Sequence, residues 1–330
     1  MADHDSGLLT AATAIPYLRS RGVIGDGPAE VSELGGGVSN IVLAVTSPRA
    51  SVVLKQALPR LRVAEEWLAK RERALAEARG LALALALAPA SVPRVLDVDP
   101  VRCAISIELA PPGMRTWKSD LLDGDVRPLV ARELGRLLGI WHSDAQAAAA
   151  FDEWESFTQL RIDPYYREVA RRHPSLAAAV LARSDAMATR RTSFVHGDFS
   201  PKNVLVGEAG LWVIDFEVVH RGDPVFDVAF LTSHLVLKGI VRPAARDRMN
   251  ACIGEFHAAY AAATPALAPL RPAYLLGHVG CLLLARVDGK SPAEYLDQRE
   301  RARVRELACS LIETPPNDVA ELIGLVEATR

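Results

Sequence analysis

Phe194-Val-His-Gly-Asp-Phe-Ser-Pro-Lys-Asn-Val-Leu-Val206, followed closely by Trp212-Val-Ile-Asp-Phe-Glu217, is the stretch from which the fold of this chain is read. Asp198 and Asn203 lie five residues apart on a polar loop between apolar runs. Asp215 closes a separate apolar strand, Leu211 to Ile214. Three oxygen-bearing side chains therefore fall on two adjoining turns.

Phosphoryl transfer from ATP needs such a set: one carboxylate to orient the attacking hydroxyl and accept its proton, and amide and carboxylate oxygens to hold Mg²⁺ against the phosphates. Asp198 suits the first role, and Asn203 with Asp215 the second. The spacing is that of a protein-kinase catalytic loop and its metal motif. Here Gly197 replaces the Arg of that pattern, and Glu217 stands where it has Gly. His196-Gly-Asp198 resembles the aminoglycoside phosphotransferase and choline kinase superfamily, which phosphorylates hydroxyls of small molecules. Protein kinases use the missing Arg to read a phosphorylated activation loop, so a protein substrate is disfavoured.

Upstream, Val31 to Val45 forms two strand-like runs around Gly35-Gly36-Gly37, with Ser39 next. Consecutive glycines let backbone N–H groups approach an anion without Cβ obstruction, so these four residues are candidates to cover the ATP phosphates; a plain turn is the other reading. Lys55 follows in the β-branched run Ser51 to Ala57. Its place after a glycine hairpin and before a charged helix makes it the candidate phosphate anchor, against the commoner fate of an exposed strand lysine. The helix, Val63 to Ala88, carries Glu65, Glu66, Glu72 and Glu77. Glu77 is the chosen partner for Lys55, with Glu72 as the alternative, because Glu77-Ala-Arg-Gly-Leu81 resembles the family's pairing helix. Val92–Asp99 and Arg102–Leu109 read as a hairpin completing a five-stranded antiparallel sheet. At the Pro111-Pro-Gly113 break, the backbone of Glu108 to Ala110 is the candidate adenine contact. Beyond it the chain is mainly helical, with helices expected over Arg242–Ala263, Pro272–Val287 and Ser291–Ile312. The expected architecture is α+β and two-lobed, protein-kinase-like, with residues 1–109 as the smaller lobe and 110–330 as the larger.

Several segments resemble methylthioribose kinases in particular: Lys55-Gln-Ala-Leu-Pro59, the Asp215-Phe-Glu217 metal motif, and Gly222-Asp-Pro-Val-Phe-Asp-Val-Ala229. The resemblance implies a metal role for Glu217, which an extended segment would place on one side with Asp215. It also implies that Asp227 accepts backbone N–H bonds from the catalytic loop with His196 packed beneath. Lys202 is read as neutralising the transferred phosphoryl group or as a surface lysine. Arg286 and Asp288 are candidates for the substrate pocket, with surface ion pairing as the alternative. Pro201-Lys-Asn203 departs towards the aminoglycoside phosphotransferase form, which leaves the substrate open. His142 reads as a packed or capping residue.

Composition sets further bounds. The chain has 330 residues and a net charge of −2, with 17 acidic against 17 basic residues in 1–150 and 23 against 21 in 151–330, so nucleic acid and anionic membrane are disfavoured partners. Four scattered cysteines without C-x-x-C spacing read as reduced thiols. An acidic N-terminus and an apolar run no longer than Leu81–Ala88 suggest a cytoplasmic protein. The expected activity is ATP- and Mg²⁺-dependent phosphorylation of a small hydroxyl compound, a methylthioribose-like sugar first, by a monomer or homodimer. An aminoglycoside or amino-alcohol acceptor is the alternative within that class, and a silent nucleotide-binding module the alternative outside it.

Overall fold

The computed structural model describes residues 7–35, 39–60, 69–208 and 210–328. Gly36, Gly37, Glu65 and Glu66 lie outside the described residues. After α1 (Ala11–Ser20), five strands pair antiparallel in the order β1-β2-β3-β5-β4: β1 (Glu30–Glu33), β2 (Asn40–Thr46), β3 (Ser51–Ala57), β4 (Val95–Asp99) and β5 (Ala104–Glu108). A helix, α2 (Arg73–Leu87), precedes β4. The Leu/Ala run from Leu81 is its C-terminal part, in keeping with the helix propensity of those residues.

β3 is central, with Lys55 opposite Val42 on β2 and Ile105 on β5. Its side chains alternate between faces. Val52 and Leu54 join Leu43, Val45 and Ala104 in a core closed by Ala14 and Leu18 of α1. Gln56, on that same face, accepts from the Leu9 N–H at 2.7 Å and donates to the Gly7 and Arg102 carbonyls, tying the segment before α1 to the sheet. The opposite face is thereby left to Val53 and Lys55.

The chain forms two compact units, Met1–Met114 with Trp212–Val218, and Arg115–Leu211 with Val219–Arg330. The sequence placed a single division at 109/110, whereas here residues 212–218 return to the first unit. The reason is local bonding: the Val213 N–H donates to the Ser91 carbonyl at 2.8 Å, and the Asp215 carboxylate meets Lys55.

The second unit begins with β6 (Arg115–Thr116), α3 (Trp117–Asp123), α4 (Pro128–Ser143), α5 (Ala145–Ala149) and α6 (Glu155–Phe157). A π-helix (Thr158–Arg167) leads into α7 (Glu168–Arg172) and α8 (Ala177–Thr189). Next come β7 (Ser193–Val195), a 3₁₀ turn (Pro201–Asn203), β8 (Val204–Gly207), β9 (Gly210–Val213) and β10 (His220–Gly222). β7 pairs antiparallel with β10, and β6 with β8, so the segment 196–203 is anchored at both ends by strands.

The remaining helices are α9 (Val225–Val241), α10 (Arg246–Ala263), α11 (Pro272–Asp288), α12 (Gln298–Glu313) and α13 (Val319–Ala328). Every residue of α9 but its last is buried, including Asp227, His234 and Lys238 within an otherwise largely apolar helix. The helix expected from Ser291 starts instead at Gln298, because Asp297 caps it: its side chain accepts from the Glu300 N–H at 2.7 Å while Glu300 accepts from the Asp297 N–H at 2.8 Å. In the segment before it, Ala293 and Leu296 are buried. Among the described residues no helix is long and apolar enough to cross a membrane.

α4 and α10 pack closely because α4 has glycine at the contact. A Cβ on Gly135 would stand 2.3 Å from the Phe256 carbonyl oxygen. Gly135→Ala is expected to lower unfolding free energy by about 1–3 kcal/mol in urea titration, since backbone cannot yield as a side-chain tip does. Gly254→Ala on α10, where an added Cβ meets nothing within 4 Å, is expected to raise it by up to ~1 kcal/mol.

Candidate active site

In the first unit, Lys55 is held between two carboxylates. Its Nζ donates to Glu77 Oε1 at 2.6 Å and to Asp215 Oδ1 at 2.9 Å. Burial alone would push the amine's pKa down; Asp215, Glu77 and Glu217 outweigh it and hold Lys55 above an ordinary lysine. Burial also pushes the Glu77 carboxyl up, to about 7, against the pull of Lys55. Glu72, the alternative partner, precedes α2 as its N-cap. The two readings are five residues apart and so point to different faces of the helix, and the buried face of α2, with Ala74, Glu77, Ala78 and Leu81, selects Glu77.

Asp215 has φ of 72°. This left-handed backbone at a non-glycine residue is uncommon and turns the chain sharply. The extended geometry that would put Asp215 and Glu217 on one side is therefore not formed, and Glu217 sits in a turn. Its two carboxylate oxygens accept from Ser39 Oγ at 2.8 Å, Asn40 Nδ2 at 2.9 Å and Arg73 Nε at 3.0 Å. Arg73 also donates to the Leu58 and Lys70 carbonyls. Glu217 thus fastens the start of β2, beside the glycine-rich segment, to α2. Sequence reasoning missed Asn40 and Arg73; a wholly buried arginine at the start of a helix carries no local sequence signal.

Gly35 is exposed, and nothing lies within 4 Å of where its Cβ would be. Glu108 gives its carboxylate to the Arg94 side chain and backbone, and its N–H to the Arg94 carbonyl. Ala110 follows the end of β5 in irregular, half-buried backbone.

In the second unit, the catalytic-loop segment hangs from one buried carboxylate. Asp227 accepts from the backbone N–H groups of His196 at 2.7 Å and Gly197 at 2.9 Å, and its Oδ2 lies 3.2 Å from His142 Nε2. His142 in turn meets the Tyr260 hydroxyl at 3.1 Å, so this histidine is a support for Asp227 and more than packing. Gly197 has φ of 78°, which favours glycine and accounts for the absence of a side chain there. His196 Nδ1 accepts from the Asp198 N–H at 3.1 Å.

The Asp198 carboxylate meets Arg161 Nη2 at 3.0 Å and Lys202 Nζ at 2.9 Å. Arg161, on the π-helix, also donates to the Gly197 carbonyl at 2.7 Å. Long π-helical stretches are rare and recur at functional sites. The helical reading beyond Val126 gave no hint of this one. Asn203 Nδ2 donates to the Asp198 carbonyl and to its Oδ2, at 3.0 and 2.8 Å. That network assigns which end of the amide is nitrogen, and leaves its oxygen as the atom with which Asn203 can ligate a cation. Asp288 is bonded to Arg305 at 2.7 Å and His173 at 2.9 Å, while Arg286 Nη1 donates to Ser291.

A model of the phosphotransferase enzyme family matches residues 30–251, more than half the chain. Methylthioribose kinase of Yersinia pestis (strain Pestoides F) is 27% identical over 280 residues, covering 74% of this chain and 69% of that protein. Among solved structures, an amicoumacin kinase in complex with AMP-PNP, Ca²⁺ and Ami superposes with a TM-score of 0.56 at 14% identity, covering 94% of this chain and 97% of that one. Choline kinase of Streptococcus pneumoniae gives 0.53 at 14% identity, covering 92% and 100%. Both likenesses extend to the α+β, two-lobed fold.

Burial alone would raise the Asp227 carboxyl, but the His142 hydrogen bond, with His142, His196 and the Gly197 N–H, holds it below the usual carboxylate range. A depressed folded-state pKa contributes stability that is complete above the ordinary carboxylate value and fades as pH falls through the depressed one. Asp227→Asn is expected to flatten that acid limb in urea unfolding measured across the acid range. It is also expected to speed hydrogen exchange at the His196 and Gly197 amides.

Proposed function

The chain belongs to the phosphotransferase enzyme family, and on that premise we propose that it is an ATP-dependent kinase acting on a hydroxyl of a small metabolite. The observation that carries this reading is Lys55 bonded at once to Glu77 and Asp215. An ammonium set by a helix glutamate is what phosphoryl transfer uses to hold nucleotide phosphates, and the aspartate beside it is what such sites use towards Mg²⁺. Mg²⁺ keeps several waters and takes only one or two protein carboxylates beside the phosphates, a role Asp215 suits; the Asn203 amide oxygen has the chemistry of a further oxygen ligand. When bound, the metal offsets phosphate charge. Glu217, already committed to three donors, is given a positioning role.

Asp198 is the residue assigned to the acceptor hydroxyl. With Arg161, Lys202 and Asn203 on its carboxylate, it acts chiefly by orienting that hydroxyl and receiving its proton as the bond to phosphorus forms. Lys202, with a side chain 54% exposed and its ammonium on Asp198, is assigned to neutralising the transferred phosphoryl group. Gly35 and Ser39 are proposed to flank the phosphates, and the Glu108–Ala110 backbone to meet adenine.

The methylthioribose kinase relatives support a sugar-like acceptor. An amino-alcohol reading would want an aromatic cage. The aromatic residues best placed in sequence for one are packed against other rings: Trp154 and Phe157 against each other and His220, with Phe157 joined through Phe226 and Phe230 to Tyr165, while Tyr166 meets His278 and Tyr260 meets His142.

The test is Mg·ATP-dependent phosphorylation of a panel of pentoses, thiosugars, aminoglycosides and amino alcohols. Asp198→Asn is expected to cut turnover by roughly 10²–10⁴-fold while nucleotide affinity holds; a near-normal rate would remove Asp198 from the chemistry. Asp215→Ala is expected to abolish the Mg²⁺ dependence of nucleotide binding, and unchanged Mg·ATP affinity would refute its metal role.

A further inference from the structure

The buried face of α9 runs Phe226, Phe230, His234, Lys238, each four residues after the last and so stacked along one side of the helix. Phe226 stacks on Phe230 at 5.3 Å, and Phe230 meets the His234 ring edge-on at 4.9 Å. The Arg161 guanidinium, which holds Asp198, lies 5.9 Å from the Phe230 ring centre. A continuous line of contacts therefore joins the proposed acceptor-orienting carboxylate to Lys238.

Lys238 is only 1% exposed. Among the described residues its ammonium has no carboxylate within ion-pair distance; its one hydrogen bond, to the His234 carbonyl, is long at 3.5 Å. It lies 5.2 Å from the Tyr295 ring centre, and Lys118 lies 5.8 Å from the same ring. Lys118 pairs with Glu294, the one carboxylate acting on Lys238. Arg286 completes the group: its Nη1 reaches Ser291, while its Nε and the Tyr295 hydroxyl are buried without hydrogen-bond partners among the described residues. Burial, then Arg286 and Lys118, pushes the Lys238 amine down to about 7. Burial, then Lys238, Arg286, Lys202 and Lys118, pushes His234 well below an ordinary histidine, so four cations act on one ring.

A buried ammonium with no carboxylate in contact costs folding free energy, and buried donors left without acceptors cost more. Such an arrangement is accounted for when the missing acceptor arrives with a ligand.

We propose that Lys238, Arg286 and Tyr295 bind an oxyanion, carboxylate or phosphate, carried by the small molecule whose hydroxyl Asp198 orients. This rests on the kinase reading and narrows its acceptor from a neutral sugar to a sugar-like compound with an anionic substituent. Cationic aminoglycosides and choline-like alcohols are repelled by the same group of charges.

Calorimetric titration of the full chain, loaded with a non-hydrolysable ATP analogue, tests it with three probes: a neutral pentose, the same pentose oxidised to a terminal carboxylate, and its phosphate monoester. One anionic form is expected to bind about tenfold or more tightly than the neutral pentose, and which one does so identifies the oxyanion. Lys238→Met is expected to erase that preference with nucleotide affinity unchanged and with Tm equal or higher, since it removes an unbalanced buried charge. A purely structural lysine would lower Tm and leave the preference intact. Arg286→Gln, assayed in parallel, is expected to weaken the same preference and covers the case in which the methionine variant misfolds. Equal binding by the neutral pentose, absence of binding by either anion, or a preference that survives both substitutions overturns the inference. If the ATP analogue binds while the anions do not, the kinase reading stands alone; if no nucleotide binds, both fall together.

Discussion

The carboxylate of Asp227, with no exposed surface, is the constraint on which the second unit depends. An unpaired charge buried to that degree would be untenable, and three groups compensate it: the N–H groups of His196 and Gly197 and the ring of His142. Each hydrogen bond to such a charge contributes about 1.5–3 kcal/mol. Asp227 also lies in the first turn of α9, where the helix dipole favours negative charge. One residue therefore ties the backbone just before Asp198 to the most deeply buried helix of its unit.

The consequences spread in both directions from that tie. Towards the loop, Gly197 must adopt a left-handed φ, which delivers its N–H to Asp227 while its carbonyl accepts from Arg161. Arg161 then reaches Asp198, so the carboxylate proposed to act on substrate is aimed by residues fixed through the core. Along α9, the helix carries Phe230, His234 and Lys238 away from the loop on one face, and places a buried amine at a fixed distance from the same loop. Positioning and acceptor recognition are on this view two ends of one helix.

The first unit solves a parallel problem with different parts. Lys55 is buried on the central strand of a five-stranded sheet, and it is tolerated there because Glu77 and Asp215 both reach it. Glu217 shows how sequence and structure part company. The spacing of Asp215 and Glu217 suggests two carboxylates on one side of a strand, but a positive φ at Asp215 breaks the alternation and sends Glu217 to Ser39, Asn40 and Arg73.

Much of the fold was legible because it rests on short-range regularities. Alternation marks β2 and β3, propensity marks α2 despite its period-two pattern, and the spacing of Asp198, Asn203 and Asp215 marks the loop and turn that carry them. Glycine at position 197 was visible as a departure, and its φ supplies the cause. Arg73, Arg161, His142 and Lys238 were not legible in the same way. Each is a polar residue inside an apolar or helical run, and the first three are made tolerable by a partner far away in the chain: Glu217 for Arg73, Asp198 for Arg161, Asp227 for His142. The sequence determined which elements form and which few side chains have the spacing for phosphoryl transfer. Only the tertiary structure decided how the buried charges are paired, because that pairing is set by long-range packing, for which no local period exists.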